Sequence, residues 1–481
     1  MILALDVGTS SARAALYDDA ARPVPGRFHQ VHYRPAVTPD GGVEHDPATL
    51  LDAAAACVDA VVAHGGLPDV AGVAIATFWH GLLGMDGSGR ACTPLFTWAD
   101  TRAAGDAGLL REALDEEALR RRTGCHLHAS YWPAKLRWLA RERPHLVARV
   151  ARWGSFGEYL ELALFGEAAT SVSMASGTGL LDQQTMRWDG EALAAAELDA
   201  AHLFPLRDRR DGRVGLRPAW ARRWPALRGR PWFPAVGDGA AGNVGSGCVT
   251  SARLALNVGT SIALRMAAPD LGTPPRGLWR YRLDRGLSLV GGALSEGGNV
   301  YAWCRELLRL PDDAALEAAL AVREPDAHGL TVLPFVAGER SPGWRGDRRA
   351  VIAGLKLDTG PLDVLAAALE AVALRIALVY DLLRPLAAPR HVIVASGGAV
   401  ARAGAWAQTI ADALGQPLIV CREEEATSRG AAVLALEALG RVPDLGAAVP
   451  PAGDTIEPVP AHHARYRAAL ERQRRLDTRL G

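Results

Sequence analysis

The sequence predicts an α/β protein built twice, with a cleft between two similar halves. The octapeptide LALDVGTS at residues 3–10 returns as LALNVGTS at 254–261, with seven of its eight letters unchanged. A glycine-rich stretch, AVGDGAAGNVGSGCVTSA at 235–252, falls just before the second copy. Each copy opens the same pattern of apolar strand, small hydroxyl-rich turn and second strand, which reads as a hairpin. Length agrees: 481 residues exceed one core, and two or three units are expected at roughly 150 residues each.

The first hairpin joins MILALDVG to ARAALYD through Gly8, Thr9, Ser10 and Ser11. Glycine lets a backbone approach a ligand closely. A turn with free hydroxyls and N–H groups forms an anion-binding concavity. The second hairpin repeats the device around Gly259, Thr260 and Ser261, and two such turns facing each other suit a polyphosphate gripped from both sides. The one altered letter, Asp6 to Asn257, suits Mg2+, a hard cation that takes one or two carboxylates beside phosphate. Asparagine keeps the size and hydrogen bonds of the acid without a second charge. Arg13 follows the first turn and is the nearest cation for phosphate. Lysine is scarce, with Lys135 and Lys356 the only two in the chain. Lys135 is open to either a surface position or a functional one.

Further along, Asp238 sits in a glycine-flanked turn between apolar stretches. A helix is predicted over 361–382, with Pro361 in its first turn and Leu362, Leu365, Leu369, Val372, Ile376 and Val379 along one apolar face. HVIVASGGAVARAGAWAQTIADAL then reads as a buried strand at 391–395, a Ser396-Gly397-Gly398 turn and a helix from about 402 to 414. That strand–turn–helix unit suits a nucleotide. The end of the chain reads as a charged helix. No GxxxxGK[ST] occurs, which excludes the P-loop.

Hydrophobic residues make up 49%, charged residues 22%, and the net charge is zero. This argues against a broad nucleic-acid or membrane-binding surface. The six cysteines form no CxxC pair or Cys/His cluster, so neither a zinc site nor a disulfide framework is expected, and a reducing cytoplasm fits. Neither a signal peptide nor a membrane span is expected. The expected protein is a cytoplasmic monomer or homodimer that acts on small molecules.

Six ordered segments carry a resemblance to a known family: DVGTSSAR (6–13), WADTR (98–102), GDGAAGNVG (237–245), NVGTS (257–261), LPFVAGERSPGW (333–344) and ASGGAVARAGAWAQTIADALGQPL (395–418). With these motifs the chain resembles the FGGY carbohydrate kinases, a family of the ribonuclease H-like, actin-like ATPase superfold. The resemblance implies an α/β fold of two such domains with an interdomain cleft. It places an N-terminal domain at 1–246, a nucleotide-binding domain at 247–445 and a C-terminal extension at 446–481. Within the family, TFWHGLLGMD (77–86), GEYLELALFG (157–166) and PFVAGERSPGWR (334–345) are most similar to gluconokinases, with xylulokinases the near alternative. A non-catalytic nucleotide switch would share the phosphate turns but would not need WADTR or the Asp238 loop.

The resemblance implies ATP and Mg2+, with Asp238 as catalytic base and both Asp6 and Asp238 near the metal. Nucleotide contacts fall on Asp6, Gly8, Thr9, Ser10, Ser11, Arg13, Gly259, Thr260, Gly338, Gly397, Gly398 and Arg402. The sugar or sugar acid falls to Trp79, His80, Trp98, Asp100, Arg102, Glu158 and Asp238, with Tyr159 a further cleft candidate. The carboxylate of an aldonate would need Arg102 or Arg340. Closure of the two halves on substrate would exclude water.

Overall fold

The computed structural model describes residues 1–63, 69–269, 271–398, 400 and 403–480. Two mixed sheets organise it. The first contains β1 Ile2–Val7, β2 Ser11–Tyr17, β3 Pro23–His32, β4 Gly72–Thr77 and β5 Val236–Gly237, in the order β5-β4-β1-β2-β3. The second contains β6 Arg253–Val258, β7 Ile262–Ala268, β8 Trp279–Arg282, β9 Ser288–Leu294, β10 Val392–Ser396, β11 Leu418–Cys421 and β12 Ala452–Ile456, in the order β8-β9-β7-β6-β10-β11-β12. In each sheet the strand before the repeated turn pairs antiparallel with the strand after it and parallel with a later strand. The next strands out agree too: β3 joins β2 and β9 joins β7 antiparallel, while β5 joins β4 and β11 joins β10 parallel. The duplication visible in eight letters is therefore a duplication of topology, and each half carries the ribonuclease H-like sheet.

Both hairpins form as the sequence predicts. β1 reads ILALDV and is buried along its whole length, because helices cover both faces of this part of the sheet. Register places Asp6 opposite Arg13 on β2, and Asn257 opposite Ala263 on β7 and beside Ser396 on β10.

Six helices matter for the site: α1 Pro47–Ala63, α2 Asp238–Gly245, α3 Pro361–Leu383, α4 Gly404–Leu414, α5 Ala426–Ala438 and α6 Pro460–Arg479. The single apolar stripe expected of α3 understates its burial. From Leu365 to Tyr380 every residue is buried, including Ala366, Ala367, Ala371 and Ala377. Alanine fits under close neighbours while adding little to an apolar periodicity, so the stripe showed only the larger residues.

α2 and α5 cross at backbone contact. A Cβ built on Gly245 would lie 1.7 Å from the Ala426 carbonyl oxygen, and one on Gly430 1.8 Å from that of Ala241. α5 comes from the second half of the chain, yet Ala431, Val433 and Leu436 share a buried cluster with Ile2, Leu5 and Val73 of the first sheet. Arg429 fastens the crossing, donating to the carbonyls of Ala21 at 3.1 Å, Gly245 at 2.8 Å and Ala448 at 2.8 Å. The segment expected as an extension supplies the edge strand β12 and the helix α6, whose Asp477 accepts from Arg345 and Arg348 at 2.9 Å each. A separate cluster around Leu82, Phe96, Trp132 and Trp153 supports the loop that carries Trp98. Among the described residues, no helix is long and apolar enough to cross a membrane.

Candidate active site

The two repeated turns end β1 and β6. In the first turn the Gly8 N–H donates to the Ser11 carbonyl at 2.9 Å, and the Tyr33 hydroxyl donates to the Gly8 carbonyl at 2.7 Å. Ser10 is exposed. Ser11 is buried, and its hydroxyl accepts from Gln30 Nε2 at 3.0 Å, so Ser11 faces the protein rather than an open phosphate site as expected. Thr9 is held by His45, whose Nε2 donates to the Thr9 carbonyl at 2.9 Å, and by Trp98, whose Nε1 donates to Thr9 Oγ1 at 3.2 Å. In the second turn the Gly259 carbonyl accepts from Gly298 at 2.8 Å, at the N-terminus of the helix Gly298–Leu307. That end favours anions. Gly298 was not legible in the sequence as part of the turn. Asn257 Nδ2 donates to Ser396 Oγ at 3.2 Å, whereas an aspartate could only accept from that hydroxyl.

Asp6 stands near the end of β1 and Asp238 begins α2, close enough for the Asp238 charge to act on Asp6. Asp6 Oδ2 accepts from Arg13 Nη1 at 3.1 Å, and its Oδ1 is buried without a partner. Burial pushes the Asp6 carboxyl up to about 7; Arg13 opposes this, while Asp238 and Glu425 add to it. Such a carboxylate wants a cation, and an orphaned carboxylate oxygen is the donor a hard divalent ion takes. Arg13 also reaches Glu425 at the start of α5, Nε to Oε2 3.4 Å, so it links the two halves. Asp238 is the first residue of α2, where the helix N-terminus favours the carboxylate form. Burial raises its pKa; Arg265 is the largest opposing influence, and the backbone N–H groups of Gly239 and Trp79 act in the same direction. Arg13, Asp238, Asn257, Arg265, Ser396 and Gly397 line one cavity of about 310 Å³. A separate, larger cavity of about 950 Å³ is lined by Gly259, Thr260, Trp303, Gly398 and Trp406. Gly397 has φ +103°, and a Cβ there would lie 2.4 Å from the Val258 carbonyl oxygen, so glycine is required. Arg402 lies outside the described residues.

A third cavity of about 210 Å³ lies between the halves, lined by Trp98, Asp100, His128 and Ser130 from the first and by Thr260 and Arg340 from the second. The Arg340 guanidinium sits over the Trp98 ring, 5.2 Å from its centroid, and its Nε is buried without a partner. Among the described residues no carboxylate pairs with it. His128 was not singled out from the sequence. The Ser130 backbone N–H donates to its Nδ1 at 3.2 Å, so the proton sits on Nε2, which is buried and unpartnered. Burial and the Arg340 charge hold the His128 pKa down at about 3, so His128 offers a neutral N–H donor.

The other expected acceptor residues take different places. Asp100 lines the cavity, but Arg102 does not compete for a ligand: it is bound to Asp100 at 2.5 Å and Glu44 at 2.8 Å. Glu158 is not among the residues that line this third cavity. It closes a capping box on the helix Phe156–Phe165, its Oε2 accepting from the Ser155 N–H and hydroxyl. Trp79 packs its ring against the turn before α2, where a Cβ on Gly237 would lie 1.9 Å from it, and its Nε1 donates to the Ser173 carbonyl at 3.0 Å. His80, in the left-handed region at φ 66°, donates from Nδ1 to the Gly177 carbonyl at 2.5 Å. Burial keeps this ring neutral, leaving Nε2 an acceptor. Gly338, expected at the nucleotide, lies between Ala337 and Glu339, which line this third cavity, and a Cβ there would meet the Gly346 carbonyl oxygen at 2.5 Å. Lys135 is buried rather than on the surface. Its Nζ donates to the carbonyl of Ser130 at 2.7 Å and lies 3.4 Å from that of His80, and burial brings its pKa down to about 7.

Residues 1–245 match the family model described as FGGY family of carbohydrate kinases, N-terminal domain, and residues 254–439 match its C-terminal counterpart. The chain is 27% identical over 474 residues to a gluconokinase of Bacillus subtilis, covering 95% of this chain and 91% of that one. It is 29% identical over 424 residues to a xylulose kinase of Klebsiella pneumoniae, covering 87% and 86%. It is 32% identical over 451 residues to a glycerol kinase of Aromatoleum aromaticum, covering 90% and 89%. A solved gluconate kinase from Lactobacillus acidophilus shares the fold at a TM-score of 0.91 and 24% identity, covering 100% of this chain and 98% of that one. Two duplicated sheets, an acid and an arginine at the first turn and a cleft aspartate therefore coincide with a family match along most of the sequence, and the chain belongs to the FGGY family of carbohydrate kinases.

Proposed function

We propose that this carbohydrate kinase transfers the γ-phosphoryl group of ATP to a hydroxyl of a sugar acid, with D-gluconate as acceptor and 6-phosphogluconate as product. Arg340 carries the acid part of this reading. A buried guanidinium without a carboxylate partner is costly, and an acceptor carboxylate would supply that partner, with His128 Nε2–H beside it and Trp98 beneath. Asp238 takes the proton of the attacking hydroxyl, the role of a general base in phosphoryl transfer. The rest is positioning and charge neutralisation: Arg13, the two hydroxyl turns and the N-terminus of the helix Gly298–Leu307 hold the phosphates. Asp6 would hold Mg2+, assisted by Asp238, and the ion would neutralise phosphate charge. The cytoplasm is the proposed setting, where six free cysteines stay reduced.

The experiment is ADP release from Mg·ATP with gluconate, xylulose, ribulose, glycerol and erythritol in parallel. Stimulation by gluconate supports the reading; stimulation by a neutral acceptor alone would replace it with a pentulose or polyol kinase. The similarly ranked identity to a xylulose kinase makes that the second reading. Asp238→Asn should lower kcat about a hundredfold or more, and a loss under tenfold would remove Asp238 from its role.

A further inference from the structure

Arg265 was not among the residues that the sequence singled out. It lies on β7, four residues beyond the second phosphate turn, with Ala255 and Gly291 as its strand partners. Its side chain crosses toward the first half over two glycines. A Cβ built on Gly291 would lie 2.8 Å from Arg265 Cγ, and one on Gly239 would lie 2.1 Å from Arg265 Nη1. The guanidinium thus rests against the backbone of the residue that follows Asp238, and Gly239 leaves room for it. It shares its cavity with Arg13, Asp238, Asn257, Ser396 and Gly397. Its Nε is buried without a partner, and among the described residues it forms neither an ion pair nor a side-chain hydrogen bond. The Asp238 charge is felt there without closing to contact.

A desolvated guanidinium with no anion beside it is costly, whereas a bound anion would satisfy its fork of donors. The cavity it faces joins the proposed base to the turn residues of the nucleotide side. The anion that must pass between those two groups is the transferring phosphoryl, whose equatorial oxygens carry the charge of the transition state. We propose that Arg265 is a catalytic residue that contacts this phosphoryl group from the second half of the chain. As the acceptor oxygen bonds to the γ-phosphorus, the bond from that phosphorus to the bridging oxygen of ADP breaks. The acceptor proton passes to Asp238 and the electron pair leaves with ADP, while Arg265 holds the group in flight. The proposal rests on Asp238 being the base.

The test uses full-length Arg265→Met, Arg265→Lys, Arg265→Ala and Asp238→Asn, with the best acceptor of the panel. Arg265→Met keeps the stem and removes the charge. It should lower kcat a hundredfold or more, the scale of losing a preorganised charge at the reacting centre, with KM for the acceptor within about threefold of wild type. Arg265→Lys should recover at least about tenfold of that loss, and free guanidinium ion should stimulate Arg265→Ala. Retention of more than about a third of kcat in Arg265→Met would overturn the proposal, as would a loss confined to KM for the acceptor. If Arg265→Met does not fold, the lysine variant and the guanidinium rescue decide, and no rescue overturns the proposal. Asp238→Asn separates the two assignments. An inactive Asp238→Asn beside a near-normal Arg265→Met removes Arg265 alone; an active Asp238→Asn removes the base on which the proposal stands.

Discussion

Replacing Arg340 with methionine keeps the aliphatic stem over Trp98 and deletes the cation. In the wild type the guanidinium lies 5.2 Å from the Trp98 centroid in a cavity of about 210 Å³, with Nε buried and unpartnered. If a sugar-acid carboxylate completes that site, the variant leaves a buried carboxylate without its cation. Truncating one partner of a buried charge pair costs 2–5 kcal/mol. At about 3 kcal/mol, kcat/KM for gluconate falls roughly 150-fold. For a neutral acceptor such as xylulose, the same change removes a charge that had no partner, so its kcat/KM should stay within a few-fold. The assay is ADP release with both acceptors, measured side by side on wild type and Arg340→Met. The ratio of the two kcat/KM values should move by about two decades. An equal loss for both acceptors would refute the reasoning and make Arg340 a structural or phosphate-directed group.

Three further outcomes are expected. Gly430→Ala places a methyl 1.8 Å from the Ala241 carbonyl oxygen and must part α2 from α5, so it should destabilise by about 3 kcal/mol and lower kcat. An unchanged thermal melt would show that the crossing adapts. Glu161 is buried, and burial pushes its pKa up to about 7. The folded state therefore holds a proton that the unfolded chain releases from about 4.5, and stability falls as pH rises between those values. Glu161→Gln should gain roughly 3 kcal/mol on wild type between pH 4.5 and 8, read from urea midpoints across that range, and parallel curves would contradict it. Asp6→Asn should abolish magnesium-dependent transfer while leaving the fold intact, and near-normal turnover at saturating magnesium would take the ion away from Asp6.

The repeated octapeptide exposed the duplication because register and turn chemistry are local. Asp6, Arg13, Asn257 and Gly397 were singled out for the same reason: each is within a few residues of a glycine turn. Asp100 and Trp98 were singled out from one short motif, and both line the cavity between the halves. The same reasoning failed at Arg102 and Glu158, whose partners decide their roles. Arg102 is bound to Asp100 and Glu44, and Glu158 caps its own helix. A sequence shows a charge but not the opposite charge that occupies it. His128, Arg265 and Lys135 went unassigned because no nearby pattern marks them; what distinguishes them is desolvation by residues distant in the chain.

By itself, then, the sequence determined the strand–turn–strand units, their duplication and the placement of one acid and one amide at equivalent strand ends. These follow from periodicity, glycine and hydroxyl turns acting over a few residues. Only the tertiary structure decided which cations lack partners. Arg340 and Arg265 are two of fifty-one arginines (53 basic residues less two lysines), and nothing adjacent to them in sequence separates them from the others. They are set apart because each lines a cavity built from both halves of the chain, with a buried Nε and, among the described residues, no carboxylate in contact.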